Sequence, residues 1–303
     1  MFRCKKCGLE FQSERSLHAH LKAHGLTMPE YYCEFFPRKD LLTRQAIQFK
    51  QKDEYFSTYF SNRENMMEWL NVSPENEARD LALDMLKNRA ESKRLTFAPS
   101  EVELFFADLP PIKEYKRLFR SYSKACELAN LIPPFKDKLP AEWSNDFSNR
   151  KILIDSREQK ELQFANSECH KLDVGDYSTT GKDYTNTAVD RKSFEDWCGT
   201  LVGDNLERFR REINRAKTQD CYLWVVIECP MDKVYELKRV SHHKPNLSFI
   251  GHNMRTLAEE FRGHLQFVFS GSRENSQLII PKLLCLGRKL YGVDMQYFLG
   301  GQI

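Results

Sequence analysis

The feature that most constrains the fold is the alternation of strand-like and helical segments in the second half of the chain. Short apolar runs recur there, separated by amphipathic stretches with helical spacing. Helices that follow strands in this way cover the faces of a sheet, so the pattern predicts a layered α/β domain. The strand-like runs are 152–155 (ILID), 187–192 (TAVDRK), 221–228 (CYLWVVIE) and 265–270 (LQFVFS).

The rest of the chain divides into two further zones. Its 303 residues are enough for two or three domains. Residues 1–26 form a compact Cys/His segment, residues 27–140 have helical spacing, and the α/β domain is expected over 148–303. The prolines of 132–135 (IPPF) and 139–140 (LP) break the helical pattern and predict a linker.

Composition limits the compartment and the partners. The formal net charge is only +3, so a nucleic-acid surface must be a local basic patch. Two of the nine cysteines are spaced as metal ligands and seven are scattered, which is typical of a reducing compartment rather than of a disulfide framework. No apolar run reaches the roughly 20 residues that span a bilayer, and the start MFRCKKCG lacks the apolar core of a signal peptide. We therefore expect an intracellular protein that is neither secreted nor bound to a membrane.

Cys4, Cys7, His20 and His24 have the spacing of a two-Cys, two-His zinc finger. Phe11 and Leu17 occupy the positions that form the small core of such fingers, and the capping pair Thr27 and Glu30 predicts a helix afterwards. Four protein ligands leave no position for water on the metal. The sequence therefore predicts one structural Zn²⁺ that folds a ββα finger over 1–26 and catalyses nothing.

The finger resembles DNA-binding fingers, but its base-reading positions are weak. Ser13, Ser16 and Ala19 stand there, and none of them makes the bidentate contacts that distinguish bases. We expect phosphate docking or a protein contact instead, and the residues assigned to phosphates are Lys5, Lys6 and Arg15. The finger followed by a helix resembles arrangements on bacteriophage-encoded nucleases, which implies the cytoplasm of a phage-infected bacterium.

Residues 97–131 are similar to the helical repeat that accompanies many homing-type endonucleases. The similarity lies in the strings APS (98–100), LPP (109–111), RLF (117–119) and SY (121–122). Ser100 and Pro111 predict helix starts. A small core is expected from Leu104, Leu118, Phe119 and Leu128. The resemblance implies a helix-turn-helix-like DNA-binding module, whereas the alternative is a helical spacer with a solvated basic face. Its predicted DNA contacts are Lys113, Lys116 and Arg117.

The chemistry is carried by a carboxylate pair and a lysine. Asp190 and Lys192 are two residues apart in a predicted strand, so they share one face, while Arg191 points to the other. If Asp176 lies on the neighbouring strand, two carboxylates converge and can hold Mg²⁺ or Mn²⁺. Such a cation activates water and neutralises charge on a phosphate, and Lys192 can stabilise the charge that develops.

The strings DSRE (155–158), GDY (175–177) and DRKxxxD (190–196) resemble the nuclease domain of XPF-type structure-selective endonucleases. The resemblance implies a restriction-endonuclease-like fold with a central mixed sheet. It also implies metal ligation by Asp176 and Asp190, and a site completed by Lys192, Arg191, Asp155, Glu158 and Asp196. Asp190 stands where that family usually has Glu, but its shorter carboxylate remains a competent metal ligand.

The resulting hypothesis is a metal-dependent endonuclease that cuts branched or otherwise structured DNA. The alternatives are a homing-type enzyme that prefers one sequence, and an inactive DNA-binding or regulatory protein on a nuclease scaffold. A basic helix carrying Arg208 and Arg211 is expected to contact DNA. XPF-type cores pair through C-terminal helices, so the apolar segment 278–290 predicts a homodimer, with Leu283, Leu284 and Leu290 along its face.

Overall fold

The computed structural model describes residues 1–48, 55, 58–136, 138–236 and 246–300, which form two compact units. The first unit comprises Met1–Ala98, Asp108–Pro110 and Glu114–Ile132. The second comprises Pro99–Ala107, Pro111–Lys113 and Pro133–Ile303, so the residues of the predicted repeat 97–131 are divided between the two units. None of the described helices is both long and apolar enough to cross a bilayer.

The first unit begins with the expected ββα finger. Ser13 caps the finger helix, and its hydroxyl accepts the Ser16 amide at 3.1 Å. The capping box of Thr27 and Glu30 is confirmed and begins the next helix. The elements are β1 (Phe2–Arg3), β2 (Glu10–Phe11), α1 (Glu14–His20), a 3₁₀ turn (Leu21–His24) and α2 (Met28–Phe35).

Helices form most of the remainder of this unit. Buried Asp40 joins an irregular segment to the first of them, because it accepts the Ser61 amide at 2.6 Å and the Asn65 side-chain amide at 2.9 Å. The helix starts predicted at Ser100 and Pro111 are confirmed. Leu104, Leu118 and Phe119 are buried as expected, but Leu128 is 41% exposed, so its predicted place in a core is wrong. These helices are α3 (Arg63–Val72), α4 (Glu75–Lys93), α5 (Glu101–Phe106, in the second unit), α6 (Ile112–Phe119) and α7 (Tyr122–Leu128).

The second unit is built on a six-stranded sheet with strand order β4-β3-β5-β6-β7-β8. The pairings of β5 with β3 and with β6 are antiparallel, whereas the other three are parallel. The expected mixed sheet is therefore present. Its strands are β3 (Ile152–Asp155), β4 (Ser167–His170), β5 (Tyr177–Thr179), β6 (Thr187–Lys192), β7 (Tyr222–Ile227) and β8 (Leu265–Phe269).

Helices cover both faces of this sheet, as the alternation in the sequence predicts. They are α8 (Phe194–Thr200), α9 (Gly203–Thr218), α10 (Lys233–Glu236), α11 (Leu247–Glu260), α12 (Arg273–Leu286) and α13 (Met295–Leu299), with 3₁₀ turns at Ala141–Ser144, Gly181–Asp183 and Gly287–Lys289. All six residues of β7 are buried, and they alternate between two hydrophobic cores. Leu223 and Val225 join the core under α9 and α11, whereas Trp224 and Val226 join the core under α12.

The apolar C-terminal segment closes this second core. Leu283, Leu284 and Leu290 are each 0% exposed and pack with the sheet of their own chain. Residues in that position have no surface to offer to a second copy. The prediction that these three leucines line a dimer face is therefore wrong, because the apolar pattern of the segment reflects its burial within the monomer.

Candidate active site and zinc centre

The four predicted zinc ligands come together in the finger. Their ligand atoms all lie within 4.8 Å of one another, with Cys7 Sγ 3.2 Å from His20 Nε2 and Cys4 Sγ 3.7 Å from His24 Nε2. Burial acts to raise the pKa of the Cys4 thiol, but the amides of Cys7 and Lys6 outweigh it and lower the pKa. The Cys4 thiol therefore favours its charged form, and two cysteines with two histidines fit the tetrahedral donor set of Zn²⁺.

The candidate active site lies where β5 and β6 meet. Asp190 and Lys192 are on the same side of β6, and Lys192 Nζ is 3.0 Å from Oδ1 and 2.8 Å from Oδ2 of Asp190. Asp176 immediately precedes β5, and its carboxylate accepts the Arg191 amide at 2.7 Å. The convergence of the two carboxylates from neighbouring strands is therefore as predicted.

Gly175 sets the position of Asp176. It has a φ of +67°, in the left-handed region that favours glycine, and an added Cβ would lie 2.7 Å from the Val189 carbonyl oxygen. The next amide, that of Asp176, donates to the same oxygen at 2.7 Å. A glycine is thus required for the chain to approach β6 closely enough to bring Asp176 beside Asp190.

The electrostatics of the pair are those of two carboxylates that share one buried position. Burial, and then the charge of Asp190, raises the pKa of Asp176 well above its ordinary value. Burial acts to lower the pKa of Lys192, but the charge and hydrogen bond of Asp190 outweigh it and raise the pKa. A second cation beside the carboxylates would relieve their repulsion.

Arg191 belongs to a different cluster, on the opposite side of β6. Its guanidinium donates to Glu228 at 2.6 Å and to Glu158 at 3.0 Å, and Arg273 lies 3.4 Å from Glu228. The side chain of Arg191 is only 7% exposed. This burial favours a role for Arg191 in stabilising β6 rather than in contacting a substrate. Glu158, which the sequence predicted as a site residue, is engaged in the same ion-pair cluster.

Asp155 is fully engaged by neighbouring groups. The Arg157 side chain donates to its two oxygens at 2.8 and 2.7 Å, and the amides of Arg157 and Leu172 also donate to them. The Arg157 side chain, acting against burial, lowers the pKa of Asp155 to about 2. Asp155 therefore borders the site as a charged and already paired carboxylate.

Asp196 lies apart from the converging groups. Its backbone amide donates to the Ser193 hydroxyl at 3.1 Å, and its carboxylate accepts from that hydroxyl at 2.8 Å. This is the geometry of a helix cap at the start of α8. The structure thus gives Asp196 a capping contact and does not bring it into the cleft described next.

A cleft of about 380 Å³ opens in front of Asp176, and α9 supplies its other wall. Arg208 and Arg211 are exposed on that wall, and no ion pair or hydrogen bond joins either of them to another residue that the structure describes. Free guanidinium groups around carboxylates suit a substrate that carries phosphates. The residues that line the cleft are Asp155, Arg157, Glu158, Gly175, Asp176, Arg208, Arg211, Glu212 and Arg215.

Glu212 was not singled out as a site residue from the sequence. Burial, and then the charge of Asp190, raises its pKa, whereas the charges of Lys192 and Arg215 and the Gly175 amide act to lower it. Its place is recognisable only from the helical period of α9, where Phe209, Ile213 and Ala216 are buried. Glu212 borders that buried stripe on the side of the cleft.

The remaining predicted DNA contacts lie in other parts of the molecule. Lys5, Lys6 and Arg15 are exposed on the finger, as phosphate contacts need to be. Arg117 instead donates to Glu114 at 2.7 Å and to the Leu70 carbonyl at 3.0 Å, so its guanidinium already holds helices together. Lys113 is exposed and Lys116 is half-buried.

Comparison with known proteins finds a family match over the part of the chain that contains the sheet. Residues 150–279 match the family model described as the ERCC4 domain. Among solved structures, XPF from Aeropyrum pernix, in complex with DNA, is 16% identical with a TM-score of 0.36. That match covers 46% of this chain, which spans 66% of the archaeal one. No protein of curated function matches the chain. Residues 150–279, named the ERCC4 domain after this family match, therefore resemble an XPF-type nuclease domain, and their mixed sheet is consistent with its restriction-endonuclease-like fold.

Proposed function

We propose that the chain is a divalent-metal-dependent DNA endonuclease that hydrolyses phosphodiester bonds. The observation that carries the proposal is the convergence of Asp176, Asp190 and Lys192 beside a cleft whose other wall presents unpaired arginines. Carboxylates and lysine handle metal and phosphate, and arginines bind the neighbouring phosphates. All three reacting groups are present, which speaks against an inactive scaffold.

The carboxylates fit Mg²⁺ or Mn²⁺. Asp190 Oδ2 is buried and faces Lys192 Nζ at 2.8 Å without the alignment of a hydrogen bond, so it retains a lone pair for a further partner. Asp176 and Asp190 would hold the cation, which supplies the Lewis acid that activates water and offsets charge on the phosphate. Lys192 then stabilises charge that develops on the phosphate oxygens. Arg208, Arg211 and Arg215 bind adjacent phosphates and orient the strand.

The substrate that we propose is branched or flapped DNA. The catalytic groups touch no bases, and the finger lacks the side chains that read them. The exposed basic residues of the finger and of the ERCC4 domain suit phosphates on more than one DNA arm. The repeat-like helices of 97–131 leave the homing-type alternative open, and that alternative predicts cutting at one sequence. We also propose that the finger holds one structural Zn²⁺. Because its thiols must stay reduced to bind the metal, the same proposal includes a reducing intracellular compartment.

Cleavage assays test the proposal directly. Initial rates are compared on a flap, a fork, a four-way junction and linear duplex, each in two unrelated sequences, with and without Mg²⁺. We expect Mg²⁺-dependent cutting that is faster on the branched forms and indifferent to sequence. Asp176→Asn and Asp190→Asn should abolish cutting while DNA binding persists. Equal rates on every structure, or cutting at one sequence only, would contradict the choice of substrate. Near-normal cutting by Asp190→Asn would contradict the site.

A further inference from the structure

Lys192, the proposed catalytic lysine, has two acidic neighbours on different elements: Asp190 on β6 and Glu212 on α9. Its Nζ lies 3.0 Å from Asp190 Oδ1 on its own strand. Nζ also lies 5.1 Å from the centre of the Phe209 ring, and Glu212 follows Phe209 by three residues on α9. Residues three apart on a helix are neighbours on one face. Lys192 is therefore enclosed by an aspartate on β6 and by an aromatic ring and a glutamate on α9.

Glu212 also faces the other arm of the site. It borders the same cleft as Gly175 and Asp176, and the Gly175 amide stabilises its charged form. The backbone turn at Gly175 lies close against β6, because an added Cβ would be only 2.7 Å from the Val189 carbonyl oxygen. One carboxylate on α9 thus acts on both Lys192 and the turn that delivers Asp176.

The two tasks assigned to Asp190 conflict. Asp190 is the hydrogen-bonding partner of Lys192 within the described residues, and it is also a ligand of the proposed cation. A divalent cation on that carboxylate repels a lysine ammonium that lies within hydrogen-bonding distance of the same oxygens. A second anion would therefore help to keep the Lys192 ammonium in place while Asp190 is shared with the cation.

We propose that Glu212 is a positioning residue whose carboxylate pairs with the Lys192 ammonium when Asp190 binds the cation. The inference rests on the proposed metal-dependent function. Glu212 then lowers the competition between Lys192 and the metal for Asp190. The same pairing keeps the lysine ammonium beside the phosphate. The Phe209 ring, 5.1 Å from Lys192 Nζ, adds a cation–π contact from the same helix as Glu212.

Two simpler roles for Glu212 predict different results. If it were a direct ligand of the cation, its removal would weaken metal binding whether or not a lysine is present. If it only accepted the Gly175 amide, Glu212→Gln would preserve that contact and leave metal binding unchanged. A double-mutant cycle with Lys192 separates these roles, because only competition between lysine and metal makes the two substitutions depend on each other.

The experiment measures Mn²⁺ affinity by calorimetry on the zinc-loaded full chain without DNA. The proteins are the wild type, Glu212→Gln, Lys192→Met and the double variant, with Glu207→Gln as control. Glu207 lies on the same helix but pairs with Arg210 on an exposed surface. We expect Glu212→Gln to weaken Mn²⁺ binding about tenfold, within the range of couplings between contacting charged residues. In the Lys192→Met background the same substitution should have no effect.

Each alternative outcome overturns the inference. An equal loss in both backgrounds makes Glu212 a direct ligand, and no loss in either leaves it no role in metal binding. In cleavage assays Glu212→Gln should lower kcat with KM for DNA unchanged, and Glu212→Asp should restore part of the rate. Asp176→Asn and Asp190→Asn provide the separate check. If both variants bind Mn²⁺ like the wild type, the proposed metal site is wrong. If both lose Mn²⁺ affinity but the double-mutant cycle shows no coupling, only the role of Glu212 is rejected.

Discussion

Replacing Arg191 by Met tests how the strand that carries the candidate catalytic residues is held. Arg191 pairs with Glu158 and Glu228, and both glutamate side chains are only 10% exposed. Methionine fills a similar volume, but among the described residues it leaves buried Glu158 without a cation and Glu228 with Arg273 alone. Removal of one partner of a buried ion pair commonly costs about 3–5 kcal/mol. Arg273 remains 3.4 Å from Glu228, so we expect the lower end of that range, about 3 kcal/mol, in the free energy of unfolding.

Urea unfolding followed by tryptophan fluorescence measures this loss. Trp197 and Trp224 are both 0% exposed in the ERCC4 domain, so their emission reports its unfolding. Arg210→Met is the control on an exposed helix surface, since Arg210 pairs with Glu207 and Glu260 there. Surface pairs contribute about 0–1 kcal/mol, so the control should change little.

A second variant decides whether the loss comes from unpaired charge. Adding Glu158→Gln to Arg191→Met removes the carboxylate that lost its cation, and it should recover part of the lost stability. The reasoning is refuted if Arg191→Met costs no more than Arg210→Met. It is also refuted if the double variant is less stable than Arg191→Met alone.

Four further changes have definite expected outcomes. Gly175→Ala should abolish cleavage and lower the melting temperature, because the new Cβ would lie 2.7 Å from a carbonyl oxygen of β6. Arg211→Ala should reduce the slope of log affinity for DNA against log salt by about one, whereas Arg210→Ala should leave the slope unchanged. Cys4→Ser should release one zinc per chain, measured by colorimetric titration, and leave the melting transition of the ERCC4 domain in place. Burial raises the pKa of Asp294 to about 7, above the ordinary 3.8. The folded state therefore holds that proton more tightly, and stability should fall by up to roughly 4 kcal/mol as pH rises from about 4 to 7. Asp294→Asn should flatten this dependence in urea titrations at each pH, and an unchanged slope would contradict it.

Local periodicity accounts for what the sequence predicted correctly. Asp190 and Lys192 share a face because strand residues two apart do, and Cys4, Cys7 and the histidines converge because their spacing matches one small fold. Such relations need no knowledge of how distant elements pack. Most of the strands and the capping of α5 at Ser100 were predictable for the same reason.

Residues whose roles depend on long-range packing escaped the sequence analysis. Glu212 is one of many charged residues on α9 until the packing of that helix places it beside Lys192. The engagement of Asp155 by Arg157 is invisible in a motif that shows only residue types. The apolar run around Leu283 has the same pattern whether it covers its own sheet or a second chain, and here it covers its own sheet.

Three consecutive residues of β6 serve two different roles, because successive side chains of a strand point to opposite faces of the sheet. Asp190 and Lys192 belong to the candidate catalytic group beside the cleft, and Arg191 between them belongs to the buried ion pairs. An insertion or deletion of one residue here would exchange the two faces, so that chemistry and folding would fail together. Point substitutions at Asp190 or Lys192 can remove activity alone. Descendants of such a domain that lose nuclease activity but remain folded should therefore carry altered side chains in a strand of unchanged length.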